Sequence, residues 1–148
     1  MSRESVYLSF ENYEVEKINL NKTKECTNES EPFGLLFKVV PDKEKNFEKI
    51  NVYQGISVEP SQDFQYKLEI VIKGNFTVNE GMGDDEKLRL ISVNASAILF
   101  PYLRSLVSLV TSQLDYEKII LPVMNFHAMF DDADIGDIVV SPESFEEF

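Results

Sequence analysis

The stretch Ala97 to Gln113, AILFPYLRSLVSLVTSQ, constrains the fold of this chain more than any other. On a helical wheel at about 100° per residue, Ile98, Leu99, Phe100, Tyr102, Leu103, Leu106, Val107, Leu109 and Val110 fill one arc of roughly 200°. Arg104, Ser105, Ser108, Thr111 and Ser112 occupy the rest. A surface helix needs an apolar stripe only about half as wide. One sheet covers one side of such a helix, so the remaining apolar surface demands a second layer, from elsewhere in the chain or from another copy of it. Pro101 is expected in the first helical turn, where its missing amide has no partner in any case, which puts the start near Ile98.

The preceding chain reads as strands. From Phe64 the even positions Phe64, Tyr66, Leu68, Ile70, Ile72, Phe76 and Val78 are apolar. The odd ones are Gln65, Lys67, Glu69, Val71, Lys73, Asn75 and Thr77. Such alternation belongs to a sheet with one face packed and the other in water. Gly74 interrupts the apolar set, as a glycine does at a kink or a close backbone approach. In Ser5 to Leu20 the apolar parity changes from Val6, Leu8 and Phe10 to Tyr13 and Val15, and back at Ile18 and Leu20. Each change predicts a bulge, in one long bent strand or two short ones. The polar run Asn21 to Pro32 is long for a hairpin and is expected to cross over other strands. A second strand covers Phe33 to Val40, ended by Pro41, and a third covers Ile50 to Val58. Asp84 or Asp85 is expected to cap a short helix carrying Leu88 and Ile91, the alternative being a fifth strand. The fold class is therefore α+β: an antiparallel sheet with helical material on a single face.

The length of 148 residues, 43% of them hydrophobic, suits one domain over residues 1–148, of which 131–148 form an acidic tail. Against 14 basic residues stand 26 acidic ones, a formal charge of −12. That balance opposes nucleic-acid binding, which needs clustered Lys and Arg, and favours basic or unfolded partners. The N-terminus MSRESVYLSF has no apolar leader core, and Pro101 and Arg104 are expected to break the most apolar stretch short of a membrane span. A cytoplasmic protein is expected, in keeping with the lone Cys26.

Catalytic readings find little support. His127 has no nearby Cys and no nucleophile-elbow context, so it reads as a surface or groove-edge residue. Asp131, Asp132, Asp134 and Asp137 lack the spacing of a calcium loop, and GMGDD lacks the Lys of a phosphate cradle. No cofactor, metal site or enzymatic activity is expected.

Ile98-Leu99-Phe100-Pro101-Tyr102-Leu103-Arg104, then Leu121-Pro122-Val123-Met124-Asn125-Phe126 and Ala128-Met129-Phe130, resemble the ILFPYAR and LAPVNFDALF motifs of the SecB family of protein-export chaperones. The resemblance implies a four-stranded antiparallel sheet with a long helix packed on it. It also implies a homotetramer, a dimer of dimers whose long helices lie between two continuous sheets, with Leu99, Tyr102, Leu103, Leu106 and Val110 at the oligomer interface. It implies binding rather than chemistry: unfolded clients held in apolar grooves and passed to the translocation ATPase SecA. On this chain the client-binding positions it points to are Phe33, Leu35, Met124, Phe126, Met129 and Phe130. Met and aromatic side chains suit such a role, because they offer adaptable apolar area without demanding one partner sequence. Glu11, Glu14, Glu16 and Glu69 are the candidates for an acidic docking surface. From Asp131 onward the chain departs from the family, with seven acidic residues and no basic ones. Ile135, Ile138, Val139 and Val140 are available there to dock on the chain or fill the groove. Three readings stay open: a holdase for export clients, a SecB-like chaperone dedicated to one client such as an antitoxin, and a structural oligomer without client activity.

Overall fold

The computed structural model describes residues 8–24, 34–42, 49–61, 64–78, 85–116 and 118–132. Four strands, β1 (Leu8–Lys22), β2 (Gly34–Asp42), β3 (Lys49–Val58) and β4 (Tyr66–Val78), precede a long helix α1 (Asp85–Thr111) and a short helix α2 (Phe126–Asp132). The strands form one antiparallel sheet in the order β1-β4-β3-β2. β1 and β2 follow each other in sequence yet form opposite edges, so the polar connection between them has the sheet's whole width to cross. Phe33 and Cys26 in that connection lie outside the described residues, as do Ile135, Ile138, Val139, Val140 and the rest of the tail beyond Asp132.

The inner face of the sheet follows from side-chain alternation. Leu68, Ile70, Ile72, Phe76 and Val78 of β4 and Ile50, Val52, Ile56 and Val58 of β3 are all buried, and α1 lies across β3, β4 and β1. β1 is a single strand whose register slips between Phe10 and Asn12 and again between Val15 and Lys17. These are the two places where its apolar parity changes, and each slip returns the apolar set to the inner face. At Gly74 a Cβ would stand 2.8 Å from the Phe76 ring and 3.0 Å from a methyl of Leu99. The glycine is what lets the helix come this close to the sheet.

Two boundaries, the burial of one residue and the length of one apolar stretch differ from expectation. β2 runs through Pro41 to Asp42, which an edge strand tolerates because one side of it needs no ladder donor. Val71, on the outer face, is 5% exposed rather than in water. It lies over Gly55, where a Cβ would stand 3.0 Å from the Val71 Cγ2. The helix begins at Asp85, not Ile98, and absorbs the short helix expected there, with Pro101 in its interior. Its inward stripe is continuous through Ile91, Ala95, Leu99, Leu103 and Val107, all buried. Ser92 and Ser96 are buried too: the Ser92 hydroxyl donates to the Leu88 carbonyl (2.6 Å) and the Gln54 amide donates to the Ser96 carbonyl (2.8 Å). Pro101 and Ala97, the residue whose carbonyl loses its amide partner, are both exposed, so water can satisfy that carbonyl. By length and hydropathy Leu88–Thr111 would suffice to cross a bilayer, contrary to expectation, but half of the stretch is buried inside the protein, as in a core helix.

Candidate functional site

The second layer over α1 comes in part from this chain itself. Thr111, placed on the polar side of the wheel, is fully buried. Its hydroxyl donates to the Val107 carbonyl (2.7 Å) and accepts from the Ile119 amide (2.9 Å), while the Ser108 hydroxyl donates to the Ile119 carbonyl (3.2 Å). The two side chains thereby tie the returning segment 118–125 to the helix, with Leu121 as its apolar anchor at 1% exposure. Thr111→Val keeps the shape but removes the acceptor of a half-buried amide. It is expected to cost about 1–3 kcal/mol in urea unfolding, with Thr111→Ser recovering most of the loss.

α2 follows directly. Asn125 caps it, its Oδ1 accepting from the Ala128 amide at 3.1 Å, which fixes the direction in which the next residues leave. Phe126 and Phe130 then point into the core, at 5% and 2% exposure. Phe126 stands 5.5 Å from Phe100 of α1, 5.4 Å from Phe37 of β2 and 6.5 Å from Phe130, ring centroid to centroid. An ion pair between Arg89 and Asp131 joins the two helices at their far ends.

The six positions proposed for client binding therefore separate. Phe126 and Phe130 are core residues, a correction to the expectation that they line a groove: the turn set by Asn125 aims them at Phe37 and Phe100. Leu35, Met124 and Met129 are half-buried and pack against the rim of the same core. Phe33 lies outside the described residues. Phe37, missed in the sequence, belongs with the rim; it shares the inner face of β2 with Leu35 and is itself half-buried. Strand parity alone would have found it. Ile120 and Val123, on either side of Leu121 and Pro122, are also exposed, at 62% and 85%. His127 on α2 is exposed. The site is thus an apolar rim around the Phe37–Phe126 contact, with no titratable constellation suited to bond chemistry among the described residues.

The residues expected between subunits separate in the same way. Leu99 and Leu103 are fully buried within the subunit against the sheet, so they form the core of the subunit and not a surface between copies. Leu106 and Val110 are half-buried, and Tyr102 is 40% exposed. Tyr102 stacks at 5.0 Å on Tyr13 and at 5.2 Å on Phe10, both of β1. Beyond this contact the inner face of β1 is uncovered: Tyr13, Val15 and Ile18 stay exposed, as do Leu90, Ile98 and Leu109 of α1. This is a larger run of exposed apolar side chains than scattered surface residues produce.

On the outer face, the four acidic candidates do not make a bare anionic patch. Glu69 is paired with Lys17 and lies 3.9 Å from Lys67; Glu14 lies 3.8 Å from Lys73; Glu11 accepts from the Thr77 hydroxyl at 2.8 Å. Glu16 is exposed at the second bulge. The hydrogen bond from Lys17 holds the Glu69 carboxyl below the usual carboxylate range, outweighing its desolvation. That pairing contributes above the ordinary Glu titration range and is lost as pH falls through the lowered value. Lying at the sheet surface and only part-buried, it is worth little.

Comparison with known proteins agrees with this architecture. The model of the SecB family, preprotein translocase subunit SecB, matches residues 6–135. The chain is 32% identical over 119 residues to the uncharacterized protein MJ0357 of Methanocaldococcus jannaschii, covering 77% of this chain and 67% of that one. It is 32% identical over 65 residues to the protein-export protein SecB of Anaplasma phagocytophilum, covering 43% of this chain and 41% of the relative. A solved structure, the Mycobacterium tuberculosis Rv1957 SecB-like chaperone in complex with a ChAD peptide from the Rv1956 HigA1 antitoxin, has the same fold. The TM-score is 0.59 at 14% identity, over 80% of this chain and 88% of that one. With the motifs after Ile98, the sheet order and a family match over most of its length in agreement, the chain belongs to the SecB family, whose members are chaperones rather than enzymes.

Proposed function

We propose that this protein holds unfolded, extended polypeptides in the cytoplasm, along the apolar rim formed by Leu35, Phe37, Met124 and Met129, and keeps them competent for export. The observation that carries this reading is the partial exposure of those four side chains where they pack at the edge of the core around Phe126. Two of them are methionines, whose flexible thioethers adapt to varied sequences. The chain acts as a single domain and assembles as a homotetramer, copies covering the exposed faces of β1 and α1. The name of the Anaplasma relative supports the export role. Handover to SecA would have to draw Glu14 and Glu69 away from the lysines they already face.

A second reading has an observation in its favour. The acidic tail departs from the family, and a SecB-like chaperone of the same fold carries an antitoxin peptide. A pull-down from the host distinguishes the two, many precursors marking the first and one small partner the second.

Light scattering from a heat-unfolded reporter enzyme tests the shared core of both. The wild-type protein is expected to suppress aggregation at about one assembly per client. Leu35→Glu combined with Met129→Glu, at half-buried positions, is expected to weaken client affinity roughly tenfold or more while the fold persists. Absence of suppression by the wild type would leave only a structural oligomer.

A further inference from the structure

The inner face of β3 reads Ile50, Val52, Gln54, Ile56 and Val58, and all five side chains are buried. Gln54 is the polar member of this set. It stands mid-strand, opposite Phe37 of β2 and Ile72 of β4, where an apolar residue would complete the pattern. Its Nε2 donates to the Ser96 carbonyl of α1 at 2.8 Å. Its Oε1 and the hydroxyl of Ser96 are also buried, and neither has a hydrogen-bond partner among the described residues. Polar atoms taken out of water without a partner cost stability, whereas an apolar pair of the same shape would not. A polar contact kept at such a cost is the kind that selects one packing over its competitors.

The competing packing follows from the width of the apolar arc on α1. Ile98, Tyr102 and Leu109 are 39%, 40% and 62% exposed, yet each lies within about 100° of the fully buried Leu99 around the helix axis. Rolling the helix through that angle would exchange one apolar set for another at little change in buried apolar area. Leu99 and the Phe76 ring both crowd the space where a Cβ at Gly74 would stand, which sets how close the helix comes. Ile98 turned into that place has the same number of carbons. The Gln54 amide is less tolerant: a roll would carry the Ser96 carbonyl away and leave the donor buried with nothing to bond.

We propose that Gln54 is a positioning residue that fixes the rotation of α1 about its own axis. It decides that Leu99 faces the sheet while Ile98, Tyr102 and Leu109 face outward. The inference goes beyond the client-holding reading and concerns the single subunit, whatever that subunit binds.

The test is methyl NMR on the full-length protein with labelled leucine methyls, the Leu99 signals being assigned through Leu99→Met. In the wild type one set of Leu99 methyl signals is expected, with a nuclear Overhauser contact to the Phe76 ring. Gln54→Met keeps the length of the side chain and removes the donor. This variant is expected to keep its urea midpoint or raise it, since a buried unpartnered oxygen goes with the amide. Its Leu99 signals are nevertheless expected to split into two or more sets, and the contact with Phe76 to fall by half or more. A purely structural hydrogen bond would not do this. One unchanged set of Leu99 signals in a folded Gln54→Met protein would overturn the proposal, whatever happens to the midpoint, and so would several sets in the wild type. Should Gln54→Met not fold, Gln54→Met combined with Ser96→Ala, which removes both unpartnered groups, is read in the same way. Failure of both variants to fold would show that the amide holds the subunit together rather than choosing its packing, and would overturn the proposal too.

Discussion

Phe126→Ala is expected to destabilise the protein by about 3–5 kcal/mol, the cost of emptying a large aromatic site in a closed core. Phe126 is 5% exposed and touches one ring from each element that meets there: Phe37 of β2, Phe100 of α1 and Phe130 of α2 itself. Truncating it leaves the others facing a void that the sheet and the long helix hold open. The check is urea unfolding at fixed subunit concentration, where the midpoint should fall with the slope unchanged. A residue that merely lined a binding groove would behave otherwise: its removal would change stability by no more than about 0.5 kcal/mol, as surface substitutions do. The comparison with Met129→Ala, half-buried on the next turn of the same helix, sharpens the contrast.

The second large effect concerns assembly. Ile98→Glu combined with Val15→Glu is expected to convert the proposed oligomer into separate, folded subunits. Within the subunit these side chains are 39% and 48% exposed, so charge is tolerated there. Between copies it is not, because each carboxylate taken out of water costs several kcal/mol, on the order of a hundredfold or more in association. The same substitution at Leu99, fully buried beneath the helix, would unfold the subunit instead. Circular dichroism and sedimentation together separate the two outcomes.

What could be read in the sequence was whatever depends on alternation along one strand. The change of parity in β1 marked both bulges, and the regularity of β4 marked the inner face; Gly74 marked the close approach of the helix. What could not be read depends on which elements meet. Pro101 has a strong preference for a helix start, yet the stripe Ile91, Ala95, Leu99 carries the helix through it because the sheet rewards burial of that stripe. Thr111 looks like a solvent-facing residue until the returning segment is laid against it. The aromatic residues of the NFHAMF run and its one methionine have similar hydropathy, and only the capped turn at Asn125 decides that Phe126 and Phe130 go inward while Met129 stays at the rim. Val71 is at a water-facing position of its strand and is buried because Gly55 across from it makes room.

The proposed assembly depends on an apolar face of β1 and α1 that one subunit leaves open to water. The mass of the purified protein in solution at micromolar concentration tests that dependence. The expected result is a discrete assembly, four times the 17.0 kDa subunit. A stable species of 17.0 kDa with that face permanently exposed would contradict it.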